Sequence, residues 1–281
     1  MGRRARQLDS EGDTVSRREH IQLLRVADVG NHFPGRLPEE WKTPYTVRDE
    51  DWPDARRKPQ SKYLSRIKNM RRAFNRIQLY FPELLTLPPQ DVFELSTAHG
   101  AMLDILRDYG HRVVGNDYVN MVGASEGEEA RALFRKANDD SFTRKTDDYG
   151  LPIPEDGKIE DWPYRPIIDS LGLDMALFDA GRMPYPFDDK SFDYVMSFQA
   201  IEHYCHPNDW HQVVDEMCRI SRKCVFVMLN PMLPNLAADK DYATAFEAFR
   251  ESMRGYDRNG FTCIGVHLHW GQALGFKLMA F

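Results

Sequence analysis

The chain has 281 residues, of which 42% are hydrophobic and 28% charged, with a formal charge of −6. That much apolar material supports a sizeable core and excludes global disorder, and the acidic balance gives no overall reason to expect nucleic acid, whose binders carry a basic surplus. No apolar run approaches the ~20 residues of a membrane span.

The start, MGRRARQLDSEGD, has no apolar stretch behind its basic residues, and Arg6 stands where acylation at Gly2 would need Ser or Thr, so a cytoplasmic protein is expected. Cys205, Cys218, Cys224 and Cys263 are too few and too scattered for a disulfide framework and read as reduced thiols.

Residues 1–60 read as an irregular charged arm, whose Trp41, Tyr45 and Trp52 predict that part of it packs on the body. Over 61–81 the spacing of Leu64, Ile67, Met70, Phe74, Ile77 and Phe81 predicts a helix, with Ser61 as its cap and Pro82 closing it. Strands then alternate with helices. DVFEL at 91–95 is the first strand, followed by the turn STAHG and a helix through Met102, Ile105, Leu106 and Tyr109. Arg112 to Asn116 is the second strand and Met175 to Phe178 the third, with a long insert (119–172) between them. Phe192 to Phe198 is the fourth strand, Trp210 to Ile220 a helix, and Cys224 to Leu229 the fifth strand. Phe261 to His269 and Phe276 to Phe281 are the remaining apolar candidates. This alternation predicts an α/β fold with a mostly parallel sheet, which binds ligands at the carboxyl ends of its strands where the order reverses.

Two features at those ends point to a nucleoside-containing cofactor. The first strand runs into Glu94-Leu-Ser-Thr-Ala-His-Gly100, a small-residue turn that lets backbone approach a ligand. Asp117 follows the second strand, where a carboxylate can accept both ribose hydroxyls. A nicotinamide site is disfavoured, because STAHGA has none of the glycines of G-x-G-x-x-G.

The run from 91 to 231, about half the chain, resembles a class I S-adenosylmethionine-dependent methyltransferase of the broad methyltransferase-domain group. VFELSTAHG is similar to the family's first motif and HRVVGNDY to its second; the most specific stretch is LFDAGRMPYPFDDKSFDYVMSFQAIEHY. The resemblance implies a Rossmann-like sheet over 82–281 whose last strand is antiparallel, with S-adenosylmethionine as cofactor. It implies that Asp117, with Tyr118 beside it, binds the ribose and that Asp179 and Ala180 bind the adenine. Glu94 and the loop through Ser96, Ala98 and Gly100 line the methionine end, and Gln199 lies near the sulfonium. Ser96 and Ala98 depart from the family's glycines; as the smallest available replacements they are expected to leave cofactor binding intact.

A sulfonium donor is already activated, so a base is needed only when the acceptor must lose a proton. His203 is the leading candidate, with Glu202 and His206 beside it; the alternative is that Glu202 and His203 cap a helix or pin the loop. No metal is expected, since His203, Cys205, His206 and His211 fit none of the usual zinc spacings. His267 and His269 are expected to face solvent or packing. Nine basic residues from Arg56 to Arg76, without an acidic one, read as the outward-fanning face of a helix whose apolar stripe packs on the domain. The arm, this helix and the insert are expected to cover the acceptor side. The activity that follows is methyl transfer to a small-molecule or sugar acceptor, oxygen favoured over nitrogen. An RNA-directed enzyme and a non-catalytic methyltransferase-like binding module are the competing readings.

Overall fold

Asp91–Leu95 (β1) and Phe192–Phe198 (β3) are nearly continuous apolar runs because both faces of each are covered, as in a parallel sheet sandwiched between helices. The structure, a computed structural model, describes residues 37–48, 63–117, 162, 164–232, 234–269 and 272–281, without the side chains of 235 and 269. The other strands are Arg112–Gly115 (β2), Ser221–Met228 (β4), Asp257–Arg258 (β5), Phe261–His269 (β6) and Gln272–Ala280 (β7). The sheet order is β2-β1-β3-β4-β7-β6-β5. β1 is parallel to β2 and to β3, and β3 to β4, while β7 runs antiparallel to both of its neighbours. That reversed strand is the ending the resemblance calls for.

Alternation along each strand feeds two cores. Phe93, Leu95, Val195, Val225 and Val227 face one side, where Trp210–Ile220 (α4) and Lys240–Arg254 (α6) pack through Trp210, Met217, Phe246 and Phe249. Val92, Tyr194, Met196 and Phe226 face the other, against Arg66–Tyr80 (α1), Ala101–Asp108 (α2) and Arg165–Leu171 (α3). Pro234–Ala237 (α5) is a single turn. The sequence reading assigned nothing to α6, although Tyr242, Phe246, Phe249 and Met253 form a helical stripe and Asp239 caps it by accepting the Tyr242 N–H at 3.0 Å. Among the described residues no helix is long and apolar enough to cross a membrane.

Four expectations change in detail. The third strand at Met175–Phe178 contracts to one parallel bridge between Gly115 and Met175. Beyond it, the carbonyls of Ala176 and Phe178 accept the Asn116 side-chain amide at 2.9 and 3.0 Å, a side-chain substitute for strand pairing. Gly115 permits this approach, since a Cβ there would come within 2.5 Å of Met175 Sδ. The fifth strand begins earlier, at Ser221, and the last strand at Gln272, because antiparallel pairing with β6 extends it. Helix α1 starts at Arg66 with Ser65 at its N-cap, while Ser61 lies outside the described residues. Its buried face is Asn69, Met70, Ala73, Ile77 and Tyr80, and Ile67 is exposed.

Of the arm, Trp41 is buried, donates to Asp108 Oδ2 at 2.5 Å and meets Phe74 edge-on, and Tyr45 accepts the Asn69 amide at 2.8 Å. Trp52 lies outside the described residues, as does most of the insert; its described end forms α3. The basic face is not uniform. Lys68, Arg71 and Arg72 are exposed, but Arg66 turns in to Asp104 at 2.6 Å and Arg76 reaches Gln199. Arg56, Arg57, Lys58 and Lys62 lie outside the described residues.

Candidate active site

β1 has β2 on one side and β3 on the other, so the strand order reverses at β1, and the region past Leu95 and Phe198 is where sheets of this kind bind ligands in a crevice. The β1–α2 turn that lines it keeps a left-handed path without its glycines. Ser96, Ala98 and Gly100 have φ of 54°, 50° and 70°. Gly100 is required twice over, because a Cβ there would also lie 2.6 Å from Leu173 Cδ1. For Ser96 and Ala98 the left-handed region costs roughly 1–2 kcal/mol each, and such strain persists only where surroundings impose it. Here the Ala98 N–H donates to Asp117 Oδ2 at 3.2 Å, Thr97 N–H to the Asn116 carbonyl at 2.8 Å, and Ser96 Oγ shares a 2.7 Å bond with Tyr204. We expect Ala98→Gly to raise stability by up to about 1 kcal/mol, the relieved strain less ~0.5–1 kcal/mol of added chain entropy in the unfolded state. A urea unfolding midpoint that falls instead would mean that the packing of the Ala98 methyl outweighs the strain.

Glu94 is 5% exposed, and burial pushes its carboxyl up to about 8; the nearby Arg76 opposes this shift and Asp117 adds to it. Its Oε2 is buried with no hydrogen-bond partner, an arrangement that costs free energy unless a ligand donor reaches it. Asp117 is equally buried and stands two residues past the end of β2. Asp179 Oδ1 accepts the Gly181 N–H at 2.9 Å, and the buried Ala180 offers its carbonyl to the Tyr185 hydroxyl at 2.8 Å. Gln199 is also left-handed, with φ 56°, pinned by its N–H to the Met228 carbonyl and by its own carbonyl to the Asn230 amide. Tyr118 lies outside the described residues. The structure therefore gathers Glu94, Ser96, Ala98, Gly100 and Asp117 at one crevice, with Gln199 at the end of the next strand.

The orphaned Glu94 oxygen, the open-turn conformation and the buried Asp117 fit S-adenosylmethionine, which offers an ammonium, a close-packed tail and a ribose diol.

The candidate bases are placed differently. Glu202 Oε1 accepts the Asn230 backbone N–H, joining the loop after β3 to the end of β4, and burial raises its carboxyl to about 7. His206 Nδ1 caps a short turn by accepting the Asn208 N–H at 3.3 Å, with its ring edge-on to Tyr242. His203 sits in the turn Ile201–His203, its N–H bonded to the Ala200 carbonyl. His211 bonds Ser252 at 2.7 Å, and among the described residues no group of three His, Cys, Asp or Glu could hold a metal. His267 packs edge-on to Tyr80, and the side chain of His269 lies outside the description.

Sequence reasoning missed Arg76, Tyr204 and Asn230. Arg76 carried a signal, since it stands three residues after Ala73 and four before Tyr80 on the face that α1 buries. Asn230 and Tyr204 carried none, because their partners come from other strands.

Residues 164–228 match a methyltransferase-domain family model. No curated protein matches the chain. Among solved structures, magnesium protoporphyrin IX methyltransferase from Synechocystis PCC 6803 with bound S-adenosylhomocysteine is 12% identical, covering 76% of this chain and 86% of that one at a TM-score of 0.42. A Pyrococcus horikoshii OT3 protein is 17% identical over 75% of this chain and 92% of its own, also at 0.42. An Aquifex aeolicus S-adenosylmethionine-dependent methyltransferase is 14% identical over 73% and 93%, at 0.37. The matched segment runs through the Asp179 loop, β3 and β4, inside a sheet that reverses order at β1 and whose last strand is antiparallel, the arrangement that the resemblance to class I methyltransferases implies.

Proposed function

We propose that the protein methylates a small-molecule or sugar acceptor, on oxygen in preference to nitrogen. The observation that carries this reading is the cover over the crevice. Tyr63, just before α1, meets the tilted ring of His99 of the β1–α2 turn and, edge-on, Tyr164 at the start of α3, with ring centroids 5.8 and 5.4 Å apart. Arg66 and Arg76 turn inward on the same helix, to Asp104 and Gln199, so these two cations are not offered to a polymer backbone.

S-adenosylmethionine supplies an activated methyl group. The chain's own work is to bind, align and exclude water, and these account for much of the acceleration in such a displacement. His203, in the turn after β3, is the residue proposed to take a hydroxyl proton. Incubating the protein with labelled cofactor and panels of hydroxylated and amino metabolites, then reading methyl incorporation by mass spectrometry, tests the proposal. Methylated hydroxyl acceptors support it. Transfer to RNA, with sub-micromolar affinity that falls steeply with salt, would install the RNA-directed reading; tight cofactor binding with no transfer to any acceptor would favour a binding module. We further expect transfer to survive chelation and dialysis unchanged, and restoration by a divalent ion after chelator inactivation is the contrary result.

A further inference from the structure

Arg76 extends from α1 to the carboxyl end of β3, where Nη2 donates to Gln199 Oε1 at 2.5 Å and the guanidinium lies 4.8 Å from the centre of the Phe198 ring. A neutral amide and a ring face compensate poorly for holding a cation away from water, and among the described residues no carboxylate closes an ion pair with it. One helical turn further on, Tyr80 stands on the same face of α1. Its hydroxyl is buried with no hydrogen-bond partner among the described residues. Its ring meets Phe198 of β3, Phe226 of β4 and, edge-on, His267 of β6, with centroids 6.2, 4.7 and 5.6 Å apart. The strand order gives this group its side. Asp117 follows β2 and Asp179 follows the Met175 bridge to β2, whereas Phe198, Phe226 and His267 belong to strands on the opposite side of β1. Arg76 and Tyr80 therefore lie away from the residues assigned to the nucleoside, on the side left for an acceptor. A guanidinium touching Gln199 would also repel a sulfonium nearby unless an anion stood with it.

Resting on the small-acceptor reading above, we propose that Arg76, with the Tyr80 hydroxyl one turn along, is the carboxylate subsite of the acceptor site, and that the acceptor is a hydroxylated carboxylic acid. Arg76 has five N–H donors in a planar fork and spends one on Gln199, which leaves a pair for bidentate carboxylate binding. The carboxylate anchors and takes no part in bond making. The hydroxyl oxygen gains the methyl as the carbon–sulfur bond breaks onto sulfur, and the hydroxyl proton passes to His203.

Methyl incorporation into a panel of hydroxylated carboxylic acids, each paired with its primary amide, tests this on the full chain, since the amide keeps the hydroxyl and the shape but removes the charge. The native protein is expected to favour an accepted acid over its amide by at least about tenfold in kcat/KM. Arg76→Gln should raise KM for the acid by roughly tenfold to a hundredfold with little change in kcat, and the preference for acid over amide should collapse. Calorimetric affinity for S-adenosylhomocysteine should stay as in the native protein, which also shows that the variant is folded. Arg76→Lys should recover part of the loss, because charge is kept without the fork. Tyr80→Phe should give a smaller rise in KM for the acid. Amides accepted as well as acids, a methyl ester as product, or an Arg76→Gln effect on S-adenosylhomocysteine instead of on the acid overturns the subsite and leaves the small-acceptor reading standing. Transfer to no acid overturns the subsite as well; if no sugar or other hydroxylated metabolite is accepted either, the small-acceptor reading falls with it.

Discussion

Replacing Asp117 with alanine is expected to weaken S-adenosylhomocysteine by about a hundredfold, read by calorimetry. The carboxylate stands two residues past β2, in a residue that is 5% exposed, and accepts a hydrogen bond from the turn after β1. Two losses combine. Charge-assisted bonds to a ribose diol contribute roughly 1.5–3 kcal/mol, and the bond from Ala98 N–H to Asp117 Oδ2 that holds the turn left-handed disappears as well. Asp117→Asn separates the two, since it keeps the shape and removes the charge; a loss nearer tenfold is expected for it. Unchanged affinity in Asp117→Ala would remove the ribose assignment, and a loss confined to thermal stability would reduce Asp117 to a loop clamp.

Affinity for S-adenosylhomocysteine should also climb with pH. Burial holds the Glu94 carboxyl at about 8, so in the free protein it carries a proton at neutral pH, with Arg76 opposing and Asp117 reinforcing that state. A ligand ammonium binds the ionised form, so below pH 8 the proton has to leave first, at about 1.4 kcal/mol per pH unit. The sign follows: affinity rises roughly tenfold per unit from pH 6 towards 8 and flattens above, where the carboxylate is already ionised. Titrations in buffers of different ionisation enthalpy should show release of close to one proton at pH 7. Glu94→Gln should abolish both the slope and the release, and a flat profile in the native protein would mean that Glu94 does not meet the ammonium.

Much of this site is legible in the chain because its pieces are local. A buried parallel strand must be an apolar run, so DVFEL and FDYVMSF announce themselves, and the residues that touch a ligand at strand ends are the next few along the chain, as with Glu94 to Gly100 and Asp117. Helix α4 appeared at Trp210–Ile220 because its stripe needs no distant partner to be recognised. Composition could not say whether Ser96 and Ala98 preserve a glycine path. That depends on Asp117 and Tyr204, brought from 19 and 108 residues away, which impose the left-handed backbone against its local cost.

The same reason hid Arg76. On a helix, periodicity shows which side is buried but not what the buried side meets, and the Gln199 it meets lies 123 residues further on. Glu202 likewise reads as a base beside a histidine until β4 brings Asn230 to it. Sequence by itself determined most of the strands and the carboxylates at their ends, since these follow from short-range pattern and the reach of a few residues. Tertiary structure alone decided which charges are buried, which are paired and which are left open to a ligand, because those are set by groups that only folding brings within hydrogen-bonding distance.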